Sequence, residues 1–459
     1  MAQPHQRTAD VTDENVGASQ SHQNILLAHP TGNQFFRHLA AGFAAQDRLG
    51  RVASCVNFNA CLDSLSAFLP SGVRGELERR AFRESWAQDL RTHPGREIGR
   101  IFAQRLGWAR GYRAESSLFS VDAVYQNFDR WLARNLPRWQ QEAELSGVYV
   151  YEDGALATFT AARKLGLKCC YDLPIAYWET GRRLMTEEAI RLPSWAPTLG
   201  GGTSDSPAKL ERKNRELELA DLVVCPSQFV VDSLPSWARS KQVVLAPFGS
   251  PETAACPPLA GPLTSDLSAR TSLHLAPRSS PMQRKLRVLF AGSMGQRKGL
   301  ADLFAAIRVL NRSDVELVVM GSLLAPMEFY RRELPDFTYE PGRPHEQVLA
   351  LMRSCDVLCL PSIVEGRALV MQEAMSQGLP IVITRNTGGA DLIEEGRTGF
   401  LVPIRSPELI AEKIAWCAEH RDEVREMGQA ARIKASTYTW REYAQRIFDS
   451  LPIATRANN

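Results

Sequence analysis

Two doubly wound α/β domains, each a parallel sheet covered by helices on both faces, are what this sequence predicts. Three observations point there. Short apolar runs alternate with amphipathic helical stretches along most of the chain, a pattern that builds parallel sheets buried on both sides. The alternation breaks once, at the Pro-, Ser- and Ala-rich stretch 250–285, which has no periodicity and reads as a linker. And 459 residues exceed what one ordinary hydrophobic core organises.

The elements follow in order. Residues 1–23, "MAQPHQRTADVTDENVGASQSHQ", are polar, lack the apolar core of a signal peptide and read as a disordered lead. "NILLAHPTGNQFFRHLAAGFAAQDRLGRVASCVNF" gives strand, turn, helix and strand, the opening of a βαβ unit. Residues 74–141 read as helical, and "GVYVYEDGALATFTAARKLGLKCCYDLPIAY" returns to strand, helix, strand. A long helix, a strand, a short helix and the strand "KQVVLAPFGS" close a first domain over 24–249. A second domain spans 286–436, with strands "LRVLFAG", "VELVVMG", "DVLCLPS" and "PIVIT" separated by helices. Residues 437–459 form a terminal helix and tail. Two such domains make one cleft, and open α/β sheets bind ligands at the C-terminal ends of their strands.

Composition narrows the function classes. The 44% hydrophobic and 23% charged fractions are those of a globular protein. A net charge of +3, 54 basic against 51 acidic residues, carries no polyanion-binding signature. No apolar run reaches the length of about 18 residues that a membrane span needs. The nine cysteines are scattered; Cys355 and Cys359 have the wrong spacing for a zinc knuckle, and buried reduced thiols in a cytoplasmic protein are the reading.

Two stretches carry candidate chemistry. In "FAGSMGQRKGLADLF" a strand ends at Gly292, and Arg297 and Lys298 stand beside a helix start, which suits an anion as well as it suits a solvated basic turn. In "EGRALVMQE" Glu365 and Glu373 bracket an apolar run. Carboxylates in such surroundings need donors, and the vicinal hydroxyls of a sugar supply them. The plain alternative is a helix-surface Glu373 and a helix-start Glu365. His29 after the first strand reads more readily as a hydrogen-bonded loop residue than as a catalyst. "TSDS" and "YEDG" read as turns rather than metal-binding loops, so no metal and no cofactor is expected.

Residues 286–404 resemble the donor-binding half of retaining glycosyltransferases of family 4, which have the GT-B fold; "VLFAGSMGQRKGLADLFAAI", "EGRALVMQE" and "AMSQGLPIVITRNTGGADLIEEGRTGFLVP" carry the likeness. "ELADLVVCPSQFVVDSL", "VVLAPFGS" and "TYTWREYAQRIF" extend it, so that it spans about 220–450 closely and 24–60 loosely. The resemblance implies a terminal helix that crosses back to the N-terminal domain. It implies a nucleotide-diphosphate-sugar as co-substrate, with Arg297 and Lys298 on the diphosphate, Glu373 on the ribose and Glu365 on the transferred sugar. Backbone N–H groups of Arg367, Ala368 and Leu369 would face phosphate or sugar, and Gly32 would close over the diphosphate from the other domain. Gly292, Gly295, Gly321, Pro341 and Gly366 complete the implied donor site, the base resting near Gly321 and Pro341. The sequence departs from the family where an aromatic commonly follows "EG": here it is Arg367, whose side chain either adds charge near the donor or points to solvent. It departs again where relatives place an acceptor-side histidine, leaving Asp172 as the nearest catalytic candidate. The reaction implied is a metal-independent front-face exchange with retention, moving a sugar to a carbohydrate or lipid-linked acceptor hydroxyl. The alternatives on this fold are a sugar-nucleotide epimerase, a phosphorylase, for which no pyridoxal-phosphate lysine is placeable, and a silent binding protein, against which Arg297, Lys298, Glu365 and Glu373 together argue. No nucleic acid is expected as a partner. Residues 74–113 hold ten arginines against five acids, with Phe82, Trp86, Phe102 and Trp108. They read either as a solvated face over core aromatics or as a peripheral contact with an anionic membrane.

Overall fold

A computed structural model describes residues 24–59, 62–63, 71–78, 80–201, 203–251 and 284–452. The lead read at 1–23, nearly all of the linker and the last seven residues lie outside them. The first sheet has seven parallel strands: β1 (Asn24–Ala28), β2 (Leu49–Ser54), β3 (Arg91–Thr92), β4 (Leu145–Tyr151), β5 (Lys168–Asp172), β6 (Leu222–Cys225) and β7 (Gln242–Leu245). Their order is β3-β2-β1-β4-β5-β6-β7. The second sheet has six: β8 (Leu286–Ala291), β9 (Val315–Met320), β10 (Thr338–Glu340), β11 (Val357–Leu360), β12 (Ile381–Thr384) and β13 (Gly399–Val402), in the order β10-β9-β8-β11-β12-β13. This is the predicted pair of Rossmann-like sheets.

Alternation places the core on both faces of each sheet. Leu26 and Ala28 of β1 pack with Val148, Val150, Phe128 and Leu132, whereas Ile25 and Leu27 face Phe36, Phe43, Tyr443 and Ile447. Caps fix where the covering helices begin. Asn33 accepts the Phe36 N–H at 3.0 Å ahead of the helix Gln34–Ala45, and Ser206 caps Pro207–Leu219, whose first residue is a proline that needs no partner there. The terminal helix Trp440–Asp449 crosses back to the first domain, as the resemblance implies. Its Ala444 lies so near Gly42 that a Cβ at Gly42 would stand 2.4 Å from the Ala444 Cβ, and Trp440 stacks on His38 with ring centroids 4.1 Å apart.

Three features differ from the sequence reading. The stretch 74–141 is not helical throughout: Arg91 and Thr92 form the edge strand β3, too short to show a period. Within 74–113 the aromatics divide. Phe82 is buried and Trp86 packs beside it, while Phe102, Leu106 and Trp108 are 61%, 79% and 52% exposed. Glu97 is buried and takes both Arg80 and Arg100, which removes part of the apparent positive charge from that face. Finally Trp195, inside the range read as the first domain, is buried in the core of the second, against Phe304, Phe329 and Tyr330 with centroids 4.9–5.9 Å away. The cysteines at 55, 169, 170, 225, 355, 359 and 417 are free and buried.

Candidate functional site

In the second sheet the strand order reverses between β8 and β11, and the crevice beyond that reversal is where a doubly wound sheet takes its ligand. The turn after β8 and the loop after β11 meet there. Gly292 and Gly321 allow the chain to leave β8 and β9 close together. Their φ values are 151° and 153°, and a Cβ on Gly321 would lie 1.7 Å from the Gly292 carbonyl oxygen. A 3-10 turn, Gln296–Lys298, then presents the two cations before the helix Leu300–Leu310.

Glu365 lies between those cations. Arg297 Nη1 donates to Glu365 Oε2 at 3.1 Å and to the Val364 carbonyl at 3.0 Å, and Lys298 Nζ contacts the same carboxylate oxygen. The Ile363 N–H donates to the Arg297 carbonyl at 2.9 Å, so backbone as well as side chains joins the two loops. Burial pushes the Glu365 carboxyl up, but the charges and hydrogen bonds of Lys298 and Arg297 outweigh it and hold the group below the usual carboxylate range. Glu373, one face along the helix Leu369–Ser376, is pushed the other way, up by burial and only partly offset by His345, whose Nδ1 is 3.8 Å away.

Lys298 and Glu373 line a cavity of about 1060 Å³. Of the predicted site residues, Gly292, Lys298, Ala368, Leu369 and Glu373 line it. Arg297 and Glu365 adjoin it through Lys298. Arg343 and His345 line it too, and so do Gly75 and Glu78 of the helix Ser71–Glu78, reaching over from the first domain. His345 opens a helix after a Gly- and Pro-rich run, and only its spacing from that run could have marked it. The cavity thus offers a cation, a helix N-terminus and a carboxylate to one ligand.

The other predicted residues stand around it. Gly295 packs on the Thr198 carbonyl, and a Cβ on Gly366 would lie 1.6 Å from the Pro174 carbonyl, so both are sites of close approach between the domains. Pro341 precedes the lining residue Gly342 and is exposed. Gly32 lies under the Phe82 ring in the turn after β1. Two expectations are corrected. The Ala368 N–H is taken by the Thr387 carbonyl at 3.3 Å. And the Arg367 side chain points neither to the donor crevice nor to solvent. It is wholly buried, bonded to Gln372, the Gly388 carbonyl and both Asp391 oxygens, with its guanidinium 5.0 Å from the Tyr438 ring centre. An ion pair and a ring face there compensate a charge that an apolar site would reject.

Asp172 ends β5 on the face that Tyr149 and Tyr443 share, away from this cavity and 3% exposed; burial pushes its carboxyl up to about 8. His29 is 2% exposed. Its Nδ1 accepts the N–H groups of Thr31 and Gly32 at 3.1 and 3.0 Å, and burial lowers it to about 3, so it is a neutral organiser of the β1 turn.

The family model for glycosyl transferases group 1 matches residues 276–434. A D-inositol 3-phosphate glycosyltransferase of Paenarthrobacter aurescens is 28% identical over 174 residues, 36% of this chain and 43% of that protein. One from Corynebacterium efficiens is 28% identical over 190 residues, 39% of this chain and 45% of that protein. The match therefore spans less than half the length of these curated relatives. Among solved structures, sucrose-phosphate synthase of Thermosynechococcus elongatus superposes with a TM-score of 0.59 at 16% identity over 93% of this chain and 98% of that one. HepE of Anabaena in complex with UDP superposes at 0.56 and 14% identity over 93% and 99%. These likenesses show the GT-B fold across nearly the whole chain.

Proposed function

We propose, from the premise that residues 276–434 are a glycosyl transferases group 1 domain, that this chain moves a sugar from a nucleoside-diphosphate sugar to an acceptor hydroxyl. The observation that carries this reading is the cavity that Lys298 and Glu373 both line, beyond the strand reversal of the second sheet. HepE of Anabaena, which shares the fold, has been solved with UDP-glucose. In this reading Lys298 and Arg297 neutralise the diphosphate, Glu373 accepts from ribose hydroxyls, and Glu365 turns from its cations toward the sugar as the donor replaces it.

Charge on the diphosphate grows as the glycosidic bond breaks, so preorganised cations lower the barrier more than they tighten the ground state. Retention by front-face exchange follows if the departing diphosphate oxygen takes the proton of the acceptor hydroxyl: the sugar's anomeric carbon loses one oxygen and gains the other on the same face. No metal is assigned to this step. A thermal-shift panel of UDP, GDP and ADP with their sugars identifies the donor, because a ligand of the folded state alone raises its stability. The product's anomeric proton in NMR, with and without excess EDTA, then tests the chemistry. An inverted linkage, a trapped glycosyl-enzyme or activity lost to EDTA would count against it.

For the acceptor, this reading favours a lipid-linked sugar. Phe102, Leu106, Trp108 and Leu118 are exposed beside Arg105, Arg110 and Arg113, a surface suited to peripheral contact with an anionic bilayer on the cytoplasmic side. Among the described residues no helix is long and apolar enough to cross a membrane. Cosedimentation with phosphatidylglycerol vesicles but not with phosphatidylcholine vesicles is expected, lost in Trp108→Ala/Arg105→Ala; equal sedimentation of both proteins would refute it.

A further inference from the structure

We infer that Glu188 and Thr198, on a strap the first domain inserts into the second, are positioning residues for the cation-bearing turn Gln296–Lys298; the inference rests on the functional reading above. The strap is the helix Trp178–Arg191 followed by the 3-10 turn Pro193–Thr198. Its far end is anchored by Trp195 in the second domain's core, where its ring meets Phe329 at 4.9 Å. Its near end packs Leu184 and Met185 on Ile363 and Val364, the residues just before Glu365.

Between those anchors the strap holds Gln296, the first residue of the turn. The Gln296 N–H donates to Thr198 Oγ1 at 3.1 Å, and the Thr198 hydroxyl in turn donates to the Trp195 carbonyl at 2.7 Å. Gln296 Nε2 donates to Glu188 Oε2 at 2.7 Å and to Asp302 Oδ2 at 2.9 Å, while its Oε1 accepts the Ala301 N–H at 2.9 Å. Every polar group of the Gln296 side chain is therefore used, and Gln296 is fully buried. Glu188, also fully buried, accepts from Arg191 and Gln296 and is bonded by Arg405 of the second domain. Arg191 forks onto Asp302 at 2.8 and 2.9 Å. Arg405 reaches Glu188 from a left-handed backbone, φ 61°, a conformation uncommon for residues other than glycine.

A buried network with each donor and acceptor matched has one geometry. Its role here is to fix where Arg297 and Lys298 begin, since they follow Gln296 directly and the turn has no side-chain cap of its own at its N-terminal end. Binding of a diphosphate should depend on that placement, whereas binding of the nucleoside portion should not.

The test compares calorimetric affinities for UDP against uridine, GDP against guanosine and ADP against adenosine, in the full chain. For the pair the protein prefers, Thr198→Val should weaken the diphosphate about tenfold, the scale of leaving one buried N–H unpaired, with the nucleoside held to within about twofold. Glu188→Gln should act in the same direction, and Thr198→Ser should restore wild-type affinity because it keeps the hydroxyl. The serine and glutamine variants carry the test if the valine variant loses its cooperative melting transition. Unchanged diphosphate binding in Thr198→Val and Glu188→Gln overturns the inference alone, as does an equal loss of nucleoside and diphosphate. A wild-type chain that binds none of the three diphosphates overturns the functional reading, and the inference with it.

Discussion

The first sheet turns about β1 and β4 as the second turns about β8 and β11, yet the two reversals are furnished differently. After β1 stands His29, neutral and buried, spending its ring on the N–H groups of its own turn. After β4 stands Glu152, buried and 3.5 Å from Lys213. After β8 and β11 stand Arg297, Lys298 and Glu365, beside a cavity. In the first sheet the polar groups are consumed by structure. In the second they face each other at the edge of a space that a ligand can enter. The same topology thus yields a frame on one side and the candidate site on the other, because function lies in the side chains that a fold presents.

Breaking the second reversal should have the largest effect. Lys298→Ala, or Arg297→Ala, is expected to lower turnover by roughly 10²–10³-fold, the scale of losing one preorganised stabilising group. Steady-state rates near wild type in both variants would remove the cations from the chemistry. The carboxylates sharpen the comparison within the site. Glu373→Gln should weaken nucleotide and nucleotide-sugar alike, by about 1–3 kcal/mol, if it accepts from ribose hydroxyls. Glu365→Gln should instead change the sugar-nucleotide and the rate, so identical calorimetric profiles for the two variants would defeat the division of roles.

The first reversal should answer to pH through stability. His29 has a folded-state value near 3, below its ordinary 6.5, so the unfolded chain binds the proton first. The stability that the neutral ring contributes is then complete above about pH 6.5 and lost, at up to about 1.4 kcal/mol per pH unit, as pH falls toward 3. Denaturant titrations of wild type and His29→Asn at pH 7 and pH 5 should show the advantage of the wild type shrinking. A gap that stays constant would mean the ring is not held neutral.

Much of this was legible beforehand because parallel strands buried on both faces are continuous apolar runs. "LRVLFA" and "NILLA" are short runs of this kind, each followed by a turn. The short edge strands β3 and β10 were not legible, since two or three residues carry no period. Within the site, the grouping of Lys298 with Glu373 follows from spacing and resemblance. The destination of Arg367 does not, because Asp391 and Tyr438, which make its burial tolerable, are 24 and 71 residues further on. The strap is illegible for the same reason. "PSWAPT" has the composition of a surface loop, and only long-range packing shows that Trp195 belongs to the other domain.

Glu365 gives the cation pair a tethered counter-ion, so under the proposed function the site would work as an ion exchanger already loaded with its own carboxylate. A free monovalent anion such as chloride must compete with a group held at high effective concentration by the chain itself. A diphosphate brings two charges and several oxygens at once and can displace it. The displaced carboxylate would then be released beside the sugar hydroxyls of the proposed donor. Selectivity for a diphosphate over simple salts would in this way follow from the contact between Glu365, Arg297 and Lys298.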